Sequence, residues 1–104
     1  DDVESRGLGD VYKRQILDNE TGNLVINQYK DGKVVKSTMK DSKGHIMYEL
    51  EYVNERIVRS RNFNNKGQLN VEQTFYANGQ VHYRNEYTPN GRITTEFDFN
   101  GKKK

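Results

Sequence analysis

The sequence predicts an all-β protein: a single-layer antiparallel meander of about seven or eight strands built from hairpin repeats of about a dozen residues. Three observations predict it. Turn residues recur at Gly22, Gly32, Gly44, Glu55, Gly67, Gly79, Gly91 and Gly101, ten to twelve residues apart. Two positions after each of the first seven comes an aliphatic residue: Leu24, Val34, Ile46, Ile57, Leu69, Val81 and Ile93. Four positions before each of Gly67, Gly79, Gly91 and Gly101 stands an aromatic: Phe63, Phe75, Tyr87 and Phe97. A unit this short holds one strand and one tight turn, and its rhythm excludes helix.

The turns can be typed from their residues. Asp31-Gly32 suits a two-residue type I′ turn. Ala77-Asn78-Gly79 and Pro89-Asn90-Gly91 suit three-residue loops with glycine in the left-handed region, and the only proline sits where its fixed φ helps. Asp41-Ser42-Lys43-Gly44 reads as a four-residue loop. Asn54-Glu55 is the weak turn, because glutamate does not favour positive φ.

Loop lengths then set an expected register. It places Phe75 opposite Val81, Tyr87 opposite Ile93, Met39 beside Ile46 and Gln28 beside Val35. It also builds one charge ladder, Glu72 to Arg84 to Glu96, across three strands. In this register every strand sends its apolar residues to one side, including Leu50, Ile57, Val71, Tyr83, Ile93 and Phe99. The other side is wet, with Glu49, Glu51, Glu72, His82, Arg84, Glu96 and Asp98. At about 25 cal/mol per Å² such an apolar face would be worth on the order of tens of kcal/mol if covered. The cover is expected from curling, from self-association or from a partner.

Composition narrows the function classes. The chain has 104 residues, enough for one small domain. Only 32% of residues are hydrophobic and 31% are charged, with a mean hydropathy of -1.10, whereas 11% aromatics is too many for a disordered tail. A thin ordered fold is the expectation. Interspersed charges summing to +2 form no nucleic-acid footprint. No apolar run has the length of a membrane span or signal peptide, and no cysteine supplies a disulfide or thiolate site, so a cytoplasmic location is expected. Residues 1–15, DDVESRGLGDVYKRQ, share nothing with the repeat and read as a disordered leader or non-native scar. Residues 16–104 read as the repetitive domain, a fragment of a longer protein.

No catalytic, cofactor or metal set is expected. His45 and His82 fall in different strands, and His82 is expected to pair with Asp98 across the ladder. The carboxylates alternate with Arg and Thr on a solvated surface, where no pocket raises a pKa. Gly7-Leu8-Gly9 lacks the strand, helix and lysine of a phosphate loop, and the sequon at Asn19-Glu20-Thr21 stands without other signs of secretion. The aromatics are the candidate partner-binding residues: Tyr48, Tyr52, Phe63, Phe75, Tyr83, Tyr87 and Phe97. A protein, a second copy of the chain, or a glycan are the partners such a face would take.

The segment FNNKGQLNVEQTFYANGQVHYRNEYTPNGRITTEFDFNG carries an aromatic, three spacers, glycine, one spacer and an aliphatic at a twelve-residue step. In this it resembles the extended β-sheet meander domain of bacterial GT-B glycosyltransferases of the wall teichoic acid and accessory-Sec adhesin type, over residues 21–101. The resemblance implies a cytoplasmic accessory domain serving oligomer formation, partner contact or acceptor capture. The catalytic residues of that family lie in other domains and have no counterpart here. Phe75-Tyr76-Ala77-Asn78-Gly79-Gln80-Val81 also resembles MORN-variant repeats, which imply a free-standing protein-binding antitoxin or adaptor, although these usually step by twenty-odd residues and often carry Trp. Tyr87-Thr88-Pro89-Asn90-Gly91-Arg92-Ile93 resembles the YD repeats of large secreted shell proteins, without their Tyr-Asp pair.

Overall fold

A computed structural model describes residues 11–104 and is all-β. Eight strands follow in chain order: β1 (Val11–Leu17), β2 (Leu24–Lys30), β3 (Lys33–Lys40), β4 (Ile46–Val53), β5 (Arg56–Phe63), β6 (Leu69–Phe75), β7 (Val81–Thr88) and β8 (Gly91–Glu96). Each pairs antiparallel with its neighbour in sequence, giving one open meander with no helix among the described residues. The radius of gyration is 16.0 Å, against about 13 Å for a compact globule of this length. Such an expanded outline follows from a single layer. Val11–Gln15, expected to lie outside the fold, pair with β2 through Ile26 to Lys30. The expected phosphate-loop exclusion at Gly7-Leu8-Gly9 concerns residues outside those described.

Turn chemistry drives the folding of each hairpin. Asp31-Gly32 has φ of 53° and 81°, and Asn54-Glu55 has 51° and 66°, so both are two-residue turns in the left-handed region. At Asp41, Asn64 and Asp98 a longer loop closes in a shared way. The backbone N–H of the first residue donates to the carbonyl four positions on, and the glycine N–H donates back to the first residue's carbonyl. In each, the Asx side chain also accepts two backbone N–H groups inside the loop. Tyr76 opens a fourth loop of this geometry without an Asx side chain, and Asn78 accepts from Gln80 N instead. At Pro89-Asn90 the expected three-residue loop is a two-residue one, since Thr88 pairs with Gly91.

Of the expected pairs, Phe75 does face Val81, and across the Asp31-Gly32 turn Tyr29 faces Val34. One step further in, every hairpin from β2/β3 to β6/β7 carries a bulge. The extra residues are Val35, Met47, Val58, Asn70 and His82, which skip the ladder and shift the register by one. Glu72 therefore faces Asn85, Arg84 faces Gln73, and Glu96 faces Tyr83, so the expected ladder of Glu72, Arg84 and Glu96 does not form. Likewise Met39 faces Tyr48, Gln28 faces Lys36, and Tyr87 faces Arg92.

A bulge also inverts the side-chain alternation within its strand, so the apolar residues do not share one side. Directly opposed residues do share a face. One face carries the rows Thr38, Glu49, Arg61, Glu72, Asn85, Thr94 and Lys36, Glu51, Arg59, Thr74, Tyr83, Glu96. We call it the charged face. The other carries Met39, Tyr48, Asn62, Val71, Glu86, Ile93 and Ser37, Leu50, Ser60, Gln73, Arg84, Thr95. Tyr83 thus stands on the charged face and Arg84 on the opposite one, the reverse of the sequence expectation.

No hydrophobic residue among those described is fully buried; only Ser37 and Ser60, on either side of Leu50, are covered by their neighbours. Lateral contact replaces a core. On the charged face Arg61 donates to Glu51 at 2.9 Å and to Glu72 at 3.0 Å and lies 3.5 Å from Glu49. Burial pulls the Arg61 guanidinium down, yet these carboxylates outweigh it and hold its pKa above the usual range. On the opposite face Ser37 donates to Asn27 at 2.6 Å, and Arg84 donates to Gln73 at 3.1 Å and Glu86 at 3.2 Å.

Candidate functional site

The sequence-expected aromatics are divided by the bulges. Tyr52 and Phe75 remain together. Tyr52 faces Ile57 across β4/β5, Phe75 faces Val81 across β6/β7, and Tyr29 faces Val34 across β2/β3. These pairs lie at the sheet end formed by the turns at Asp31, Asn54 and Ala77. Tyr52, Ile57 and Phe75 line one shallow groove there, and Tyr52 with Val34 lines the next. The result is an apolar row across six strands, open to solvent, in which Ile57 is 38% exposed.

Tyr48 and Phe63 line a second groove, with Ile46 and Met47, at the opposite end of the sheet. Tyr83 stands beside Glu96, and Tyr87 opposite Arg92. Phe97 follows β8 and forms an isolated bridge with Lys103. The row was only partly legible: Tyr29 was missed, although Tyr29, Tyr52 and Phe75 lie 23 residues apart in sequence. That spacing is the true structural repeat, since two strands, each with one bulge, return the chain to the same face and the same end.

Sequence reasoning also missed an aromatic corner on the charged face. The His82 ring stacks on Tyr76 at 4.2 Å and meets Tyr83 at 4.1 Å, and Phe99 approaches Tyr76 edge-on at 5.3 Å. The bulge at His82 turns it to the same side as Tyr83. His82 Nε2 lies 3.8 Å from Glu96, so the expected partner Asp98 is replaced by Glu96. Lys104 Nζ donates to Glu96 at 3.0 Å, which lowers the Glu96 pKa and raises that of Lys104. Tyr76 Oη donates to the Phe97 carbonyl at 2.8 Å, tying the last hairpin to the sheet. The other histidine, His45, sits 3.4 Å from Asp41, whose carboxyl is lowered chiefly by the backbone N–H of His45.

No protein-family model matches the chain, and no curated protein matches it significantly.

Chemically, the described residues offer contact surface. They hold no group of three or more His, Cys, Asp or Glu side chains able to bind a metal. The carboxylates on the charged face are neutralised by Arg59, Arg61 and Lys36. No described helix is long and apolar enough to cross a membrane.

Proposed function

We propose that this chain is a non-catalytic interaction module that contacts a protein partner, or a second copy of itself, through the apolar row of Tyr29, Val34, Tyr52, Ile57, Phe75 and Val81. The observation that carries this reading is the row itself: three directly opposed apolar pairs at one sheet end, with no layer over them. Contiguous apolar surface of this kind marks interaction sites, and tyrosine and phenylalanine are the residues that anchor them. The resemblance to the meander domain of GT-B glycosyltransferases gives the finer proposal, a cytoplasmic accessory domain of such an enzyme. There the row serves oligomer formation, partner contact or capture of a glycoprotein acceptor.

Sedimentation and binding of an apolar fluorescent dye test it. The chain alone should bind dye or self-associate, Ile57→Lys should abolish this, and Thr94→Lys on the charged face should not. A stable monomer without dye-accessible apolar surface would remove the reading.

One observation favours the free-standing MORN-variant reading: the 23-residue structural period matches the twenty-odd-residue step of those repeats. The two differ in what covers the row. A GT-B core supplied in trans should suppress dye binding in the first case and leave it unchanged in the second.

A further inference from the structure

We infer that Asn78 is a latent deamidation site which the docked hairpin of residues 97–104 keeps closed. Three Asn-Gly steps occupy turns: Asn78-Gly79, Asn90-Gly91 and Asn100-Gly101. In such a step the glycine amide nitrogen, after losing its proton to solvent base, attacks the asparagine Cγ. A five-membered succinimide closes, the Cγ–Nδ2 bond breaks and ammonia leaves. One water then opens the ring to aspartate or isoaspartate, so asparagine plus water gives the acid plus ammonia with no redox change. Glycine favours the attack because no side chain shields its nitrogen.

The three side chains are held differently. Asn78 Oδ1 accepts from Gln80 N at 3.0 Å, and its Nδ2 donates to the Phe99 carbonyl at 2.8 Å. This carboxamide is pinned at both ends; the glycine nitrogen does not distinguish it from Asn100, since Gly79 N donates to the Tyr76 carbonyl at 3.0 Å and Gly101 N to the Asp98 carbonyl at 2.9 Å. Asn90, exposed like Asn78, is held among the described residues only through its backbone N–H, which donates to Thr88 Oγ1 at 3.2 Å. Asn100 is likewise held through its backbone N–H, by Asp98. The tether on Asn78 depends on the hairpin of residues 97–104, which docks through Phe97 and Phe99.

Release of that hairpin removes the Nδ2 bond and leaves the Asn78 carboxamide held by the local bond from Gln80 N alone, easing its turn toward Gly79. The reaction then fixes the released state, because a carboxylate at position 78 presents only acceptor oxygens to the Phe99 carbonyl and cannot remake the bond. The device is a one-way latch on hairpin docking.

Ageing the full chain at mildly alkaline pH, followed by peptide mass spectrometry, reads all three sites at once. In the native protein Asn78 should react roughly tenfold or more slowly than Asn90, the factor that two hydrogen bonds of ordinary net strength supply. In urea the two rates should converge. Tyr76→Phe, which keeps the ring but removes the hydroxyl that holds the Phe97 carbonyl, should speed Asn78 severalfold and leave Asn90 unchanged. Equal native rates at Asn78 and Asn90, or a Tyr76→Phe variant with Asn78 still slow, would overturn the inference.

Discussion

Arg84 stands directly opposite Gln73 and donates to its side-chain oxygen at 3.1 Å, although the loop length alone aligns it with Glu72. The bulge at His82 makes the difference. A double-mutant cycle on denaturation midpoints should therefore find no coupling between Glu72 and Arg84. The pair Arg61 and Glu72, joined at 3.0 Å and partly shielded, should couple by about 0.5–1 kcal/mol.

Glu55 carries φ of 66° without being glycine, a conformation that strains an L side chain by about 1–2 kcal/mol. Glu55→Gly should raise stability by about 1 kcal/mol despite the added chain entropy of glycine. Gly79→Ala, at φ of 90° in open space, should lower it by about as much for the converse reason. Urea midpoints with unchanged slopes check both.

How much of this was legible follows from which residues need a particular chemistry. Asp31-Gly32 and the glycines at 44, 67 and 79 announce their turns because positive φ demands them, and the meander follows. Bulges here need no special residue: valine, methionine, asparagine and histidine all occupy them. The twelve-residue rhythm of Phe63, Phe75 and Tyr87 was therefore visible, but its assignment to one face was not. Phe75 lies in the row with Tyr52, whereas Phe63 and Tyr87 belong to the other sheet end. Tyr76 was hidden for another reason. It occupies a loop position taken by Asp or Asn elsewhere, and its role depends on Phe97, 21 residues on.

Side-chain truncations should rank by place in the row. Phe75→Ala and Tyr52→Ala, half-buried in grooves, should each cost about 1–3 kcal/mol, less than the roughly 3–5 of a fully buried aromatic. Ile93→Ala, 55% exposed near the β8 edge, should cost under about 1 kcal/mol. Thermal unfolding of the three variants separates these cases.

Acid should loosen the Asp41 turn and the end of β8 at Glu96. Asp41, held by the His45 and Lys43 backbone N–H groups, and Glu96, held by Lys104, both have folded pKa values below their ordinary ones. Each therefore adds stability that is fully present above the ordinary carboxylate range of about 4 and is lost as pH falls through the folded value. NMR titration should show the amides of Lys43 and His45 shifting together below about pH 4. Amides of Lys43 and His45 that stay unmoved below about pH 4 would contradict this assignment.

Cysteine pairing across β6 and β7 tests the bulged register most directly, because directly opposed residues come within disulfide reach and residues on opposite faces do not. Glu72→Cys combined with Asn85→Cys should oxidise to an intramolecular disulfide in the folded chain, whereas Glu72→Cys with Arg84→Cys should stay reduced. Ready closure of the Glu72 and Arg84 pair, with the Glu72 and Asn85 pair remaining free, would contradict the register and with it the separation of Tyr52 and Phe75 from Tyr83 and Tyr87.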